Sequence, residues 1–161
     1  MTGNKSSESV HFLLLGHSKE HILTAIEYFG LDAVVMFTWI DLFEEHEGFI
    51  QELESGGIRV LELVSLSPFT ENALKSMTHE ILAVYDRYAA KGCTIIMGLT
   101  GGTNLMVASM ALAALQKGCP VHYCVNDDSR TILNIDTLQR LSLSVNHQEF
   151  ARILARGNSH E

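Results

Sequence analysis

Two short segments carry the residues best suited to chemistry. The first is Thr100-Gly101-Gly102-Thr103-Asn104, which follows the apolar run Cys93 to Met97. Adjacent glycines permit positive φ and let a ligand approach the backbone. Thr103 stands where a helix would begin, so the N–H groups beside it face outward at the positive end of a helix dipole. That makes an anion site that needs no lysine. Thr100, Thr103 and Asn104 add groups suited to ribose hydroxyls or base edges. The plain alternative is a glycine-rich turn with a threonine cap. The second segment is Gly16-His17-Ser18-Lys19, which follows the apolar run Val10 to Leu15. Lys19 could meet a phosphate or stay in solvent. Trp39, just past another apolar run, could stack on a base or pack at a rim.

These segments need a scaffold, and the chain supplies one. Val10–Leu15, Ala33–Thr38, Ile58–Val64, Cys93–Met97 and Pro120–Val125 read as strands. Helices alternate with them over Glu20–Phe29, from Asp41 as a cap to Gly56-Gly57, from Thr70 as a cap to Gly92, and over Asn104–Gln116. In the third helix Leu74, Met77, Ile81, Leu82, Tyr85 and Tyr88 are expected to face inward. Thr131–Ile135 returns as an antiparallel partner after the turn at 126–129. Arg140–Val145 alternates as a strand would, and Gln148–Ala155 closes the chain as a helix. Strand–helix alternation implies right-handed crossovers. The expected fold is α/β: a Rossmann-like three-layer sandwich whose mostly parallel sheet has an antiparallel C-terminal edge hairpin. In strand order 3-2-1-4-5 the first and fourth strands are neighbours. Their loops then flank one crevice beyond the carboxyl ends of the sheet.

A length of 161 residues fits one domain, expected over 10–156 between a polar tail or linker at 1–9 and a tail at 157–161. A net charge of −8 argues against a duplex nucleic-acid partner, which would demand a basic stripe. No run is long and apolar enough to span a membrane. Cys93, Cys119 and Cys124 are an odd set with no C-x-x-C spacing; Cys93 and Cys124 lie in apolar runs and read as small core residues, and a reducing, cytoplasmic compartment fits. Neither the Walker A pattern nor G-x-G-x-x-G is present, which disfavours an ATPase or a dehydrogenase. The eight histidines show no metal spacing. His11, His21, His46, His79 and His122 read as surface or satisfied core histidines, and Glu44 to Glu47 as a solvated helix face. Arg140 and His147 have the R-x6-H spacing of HEPN ribonucleases, which need a helical bundle. With Arg140 opening a strand-like run, that spacing reads as coincidence. No metal and no cofactor are expected.

The run from Ile95 to Met106, with T-G-G-T at 100–103, resembles the signature of CARF domains (CRISPR-associated Rossmann fold). Leu13 to Ser18 and Ser67-Pro68-Phe69 are also similar to that family, so the likeness spans about Val10 to Ile135. Asn104 departs from it, standing where a lysine is common. The resemblance implies a homodimer that binds a cyclic oligoadenylate, cyclic tetra-adenylate foremost, across its two-fold axis in type III CRISPR antiviral signalling. The apolar 104–116 helix would form part of the dimer core. Such a sensor controls an effector, here outside the chain; an anchor ahead of residue 1 would tether it to the inner membrane. The ligand would contact Gly16, His17, Ser18, Lys19, Trp39, Thr100, Gly101, Gly102, Thr103 and Asn104. The alternative within the family is a metal-independent ring nuclease, in which Ser18, Lys19 and Asn126 would be the catalytic suspects. A third possibility is an unrelated α/β module for a mononucleotide or sugar phosphate.

Overall fold

The structure, a computed structural model, describes residues 7–125 and 131–155. The elements run β1 (Ser9–Leu14), α1 (Glu20–Phe29), β2 (Ala33–Trp39), a single 3-10 turn (Ile40–Leu42), α2 (Phe43–Ser55) and β3 (Arg59–Leu66). They continue with α3 (Ala73–Ala90), β4 (Thr94–Gly98), α4 (Asn104–Lys117), β5 (Val121–Cys124), β6 (Ile132–Asn134), α5 (Thr137–Ser144) and α6 (His147–Ala155). One sheet has the order β3-β2-β1-β4-β5-β6. All pairs are parallel except β5 with β6. This is the Rossmann-like sandwich expected from the alternation, with β1 and β4 adjacent at its centre.

The strands read as continuous apolar runs because both sheet faces are covered. On one face, Leu13, Leu15, Val34 and Met36 meet Ile22 and Ala25 of α1 and Phe49 and Leu53 of α2. On the other, Phe12, Leu14, Val35 and Phe37 meet Met77 and Ile81 of α3 and Met106 and Met110 of α4. The helix α4 is apolar on many sides because α3, α5 and α6 also pack against it. Met106, Met110 and Ala114 are therefore covered by their own chain, while Leu105 remains exposed. Cys119 and Cys124 are buried and Cys93 is half-buried. Burial pushes the Cys119 thiol up to about 12, which leaves it unreactive.

Several local expectations fail for identifiable reasons. Asp41 lies inside the 3-10 turn, and neither it nor Thr70 caps a helix; the Thr70 hydroxyl bonds the Ser67 carbonyl at 3.3 Å instead. Leu74 sits in the first turn of α3 and is exposed. Arg140 to Ser144 is helical, because the positions turned inward are Leu138, Ser142 and Val145, spaced i, i+4, i+7. The leucines that produced the alternation, Leu141 and Leu143, are exposed. Arg140 is thus on a helix, contrary to the strand-like reading. It pairs with Asp136 at 2.7 Å, while His147 sits 2.8 Å from the Ser142 carbonyl and 3.4 Å from Gln116 Oε1. Both side chains are engaged locally.

The histidines differ most from expectation. His46 is buried rather than solvated, and His11 and His122 are buried with no hydrogen-bond partner on either ring nitrogen among the described residues. Their rings pack 5.6 Å apart, and each lies under 5 Å from the Phe29 ring of α1. Burial, and then the charge on His122, pushes His11 down to about 3; burial, and then the charge on His21, pushes His122 down to about 4. The charged groups facing this layer are His21 of α1 and, around the cleft beside His11, Glu8, Asp32 and Arg59. Both folded-state values lie below the ordinary 6.5, so the unfolded chain binds more protons. Stability is then complete above about pH 6.5 and is lost as pH falls toward 4 and 3, by up to about 1.4 kcal/mol per pH unit for each ring. Urea midpoints measured from pH 7 to 4 should fall, and His11→Leu should make that fall shallower.

Candidate functional site

The loops after β1 and β4 meet at the carboxyl ends of the two central strands. A Cβ placed on Gly16 would lie 3.0 Å from the Gly102 nitrogen and 3.2 Å from its Cα, so the two backbones touch. Gly101 and Gly102 both have positive φ, +98° and +67°. A Cβ on Gly101 would come 2.5 Å from the Leu14 carbonyl oxygen and would strike the His21 ring. His21 explains the tightness. Its Nε2 donates to that same Leu14 carbonyl at 2.7 Å, which requires the proton on Nε2 because a carbonyl only accepts. The buried His46 of α2, on the same face of the sheet, lies against the Gly16 backbone. Burial lowers both imidazoles below their ordinary value, so they hold the loop as neutral rings.

Two helices start at this crevice, and they differ in charge. At α4 the Thr103 hydroxyl caps the helix by accepting the Met106 N–H at 3.2 Å, and the Thr103 carbonyl accepts the Val107 N–H at 3.0 Å. The N–H groups of Asn104 and Leu105 have no helical carbonyl behind them. The first turn of α4 contains no acid. At α1 the first residue is Glu20, whose carboxylate accepts from the Ser18 hydroxyl and from the Lys19 N–H. Those bonds hold the Glu20 carboxyl below its usual range. The positive end of α1 is therefore already neutralised by its own chain, while that of α4 is available to an outside anion.

The remaining predicted residues divide. Asn104 is exposed at the α4 start, and an open depression of about 480 Å³ beside it is lined by Thr100, Gly102, Asn104, Val107, Ala108 and Tyr123. The Thr100 hydroxyl is engaged by β5, accepting the Cys124 N–H at 2.7 Å. Lys19 leans over the Phe49 ring of α2, with Nζ 5.0 Å from its centroid. His17 is exposed and lies 3.5 Å from Glu45 and edge-on to Trp39 at 5.8 Å. Trp39 is the last residue of β2 and contacts Phe69. Asn126 falls outside the described residues. Sequence reasoning missed His21, His46 and Phe69. His21 was hidden because a histidine in an apolar helix looks the same whether or not it bonds a loop, and His46 because the glutamates around it suggest a solvated face.

Among the described residues no cluster of His, Cys, Asp or Glu is placed to hold a metal ion, and no helix is long and apolar enough to cross a membrane. No family model matches the sequence, and no curated protein does. Solved structures do match in shape. Can2 from Sulfobacillus thermosulfidooxidans, in complex with cyclic tetra-adenylate, superposes with TM-score 0.61 at 19% identity, over 80% of this chain and 35% of that one. Csm6 from Enterococcus italicus, bound to cyclic hexa-2′-fluoro-hexa-dAMP, gives 0.63 at 14% identity, over 91% and 41%. A type III CRISPR defence DNA nuclease activated by cyclic oligoadenylate gives 0.63 at 20% identity, over 81% and 20%. The fold is CARF-like. This chain spans between a fifth and about two fifths of those longer proteins. Identities this low carry the fold and nothing finer. In the CARF-like frame, Gly101 is where the two central loops lock together. Gly101→Ala combines a strained φ with a backbone collision, and urea denaturation should show a loss of about 3 kcal/mol.

Proposed function

We propose that this domain is a sensor that binds a cyclic oligoadenylate, cyclic tetra-adenylate foremost, across a homodimer, and controls an effector outside this chain in type III CRISPR antiviral signalling. The observation that carries the reading is the acid-free start of α4, seated in the crevice where Gly16 meets Gly102. A ring of phosphodiesters needs anion sites that also admit the bulk of its sugars. Bare N–H groups beside two glycines meet both requirements. The bound rings seen in Can2 and Csm6 support the same ligand class.

The homodimer is supported by what α4 leaves uncovered. Leu105 is exposed, Val107 and Ala108 are half-buried, and Tyr123 and Leu133 expose further apolar surface at the β5–β6 edge. The covered residues Met106, Met110 and Ala114 do not belong to that surface. Sedimentation at micromolar concentration should give a dimer before ligand is added, and a monomer would contradict this part of the reading.

Sensing is favoured over ring cleavage by the charges at hand. In-line attack by a ribose 2′-oxygen gains from a donor to the developing negative charge. Asn104 is neutral, the Lys19 ammonium rests on Phe49, and the Ser18 hydroxyl is engaged by Glu20. Cyclic tetra-adenylate should therefore stay intact over minutes with equimolar protein, as read by chromatography. Rapid conversion to linear products, lost in Lys19→Ala or Ser18→Ala, would overturn the sensor in favour of a ring nuclease.

Binding itself is tested by Asn104→Glu. A carboxylate in the first turn of α4 favours the helix by a few tenths of a kcal/mol, so the fold is kept. The same charge repels a phosphate. Calorimetry with cyclic tetra-adenylate and cyclic hexa-adenylate should show binding to the native chain and at least about a tenfold loss in the variant. Unchanged affinity would make the loop a turn and nothing more.

A further inference from the structure

The carboxyl ends of β3, β2, β1 and β4 lie side by side, and the residues leaving the first three carry rings. Phe69 follows β3, Trp39 ends β2, and His17 follows β1. Phe69 and Trp39 pack edge-to-face at 5.8 Å, as do Trp39 and His17. The row ends at Gly16, against Gly102 and the start of α4.

Phe69 has no packing role that accounts for it. It is 74% exposed, and Trp39 is its only ring contact among the described residues. Ile40, next to Trp39, is 63% exposed. The exposed Phe69 ring and the half-buried Trp39 ring beside it offer faces for a flat, apolar-faced group. The surrounding charge narrows the choice. Asp41, Glu44 and Glu45 are exposed in the segment that follows Trp39, and Glu45 faces His17. A phosphate would be repelled there, whereas an uncharged heterocycle would not. The crevice thus separates two chemistries: an anion site at α4, after β4, and an aromatic ledge two to three strands away, after β2 and β3.

We infer that Phe69 and Trp39 form a stacking ledge for one adenine of the ring in each protomer, while the phosphates lie at Gly101 to Asn104. The inference rests on the proposed ligand class and adds the residues that read its bases. Stacking is tolerant of base identity, so the ledge supplies affinity and placement rather than a hydrogen-bond code.

Trp39 is the single tryptophan, so its emission reports on the ledge alone. Titration with cyclic tetra-adenylate should change that emission saturably, in step with calorimetric binding. Phe69→Ala should weaken binding about tenfold, and Phe69→Tyr should restore it. Calorimetric binding with unchanged Trp39 emission would overturn the ledge and leave the sensor reading standing. So would a Phe69→Ala affinity within twofold of native. Absence of calorimetric binding to the native chain would instead remove the ligand class, and the ledge with it.

Discussion

The site depends on a contact between two backbones. Gly16 and Gly102 approach so closely that neither loop can move without the other. The sheet creates the contact by placing β1 beside β4, and two histidines tighten it. His21 reaches from α1 to the Leu14 carbonyl, and His46 reaches from α2 to Gly16. The first loop is thus held from both helices on one face of the sheet, while the second is fixed by α4 on the other. The crevice is pre-formed, which spares a ligand the ordering cost that flexible loops would impose.

An acidic domain can still hold an anion because the relevant field is local. The net charge of −8 is spread over a surface where solvent and salt screen it. The N–H groups at α4 would act on a bound phosphate at contact distance. What decides between the two candidate helix starts is the placement of one carboxylate: Glu20 sits at α1, and nothing comparable sits at α4. The same arrangement argues against vigorous phosphodiester cleavage, since the nearby hydroxyl and ammonium are engaged by their own chain. The apolar face on α4 and the β5–β6 edge lie beside the loop, so a two-fold partner docked there would bring a second copy of the anion site close to the first.

Much of this was legible in the sequence. Largely apolar runs such as Val10 to Leu15 read as buried strands, and their alternation with helices implied the mostly parallel sheet that forms. Thr103 was readable as a helix start, and the adjacent glycines permitted the positive φ that both adopt. The illegible parts have physical causes. Arg140 to Val145 alternates in sequence while burying a helical stripe through Leu138 and Ser142. Caps at Asp41 and Thr70 failed because tight turns intervene before the helices begin. The buried histidines were unreadable because what their rings meet, the Leu14 carbonyl seven residues before His21, or no hydrogen-bond partner among the described residues for His11 and His122, is set by tertiary packing. Phe69 gave no signal because an exposed aromatic and a core aromatic look alike in one sequence.

The central claim is that the backbone N–H groups at the start of α4 receive the ligand's phosphates. Hydrogen–deuterium exchange, resolved to single amides with and without cyclic tetra-adenylate, addresses those groups directly. The account predicts that ligand slows exchange at Gly102, Asn104 and Leu105 and leaves the amides at the start of α1, from Lys19 to Ile22, largely unchanged. Protection at Lys19 to Ile22 with none at Gly102 to Leu105 would contradict it.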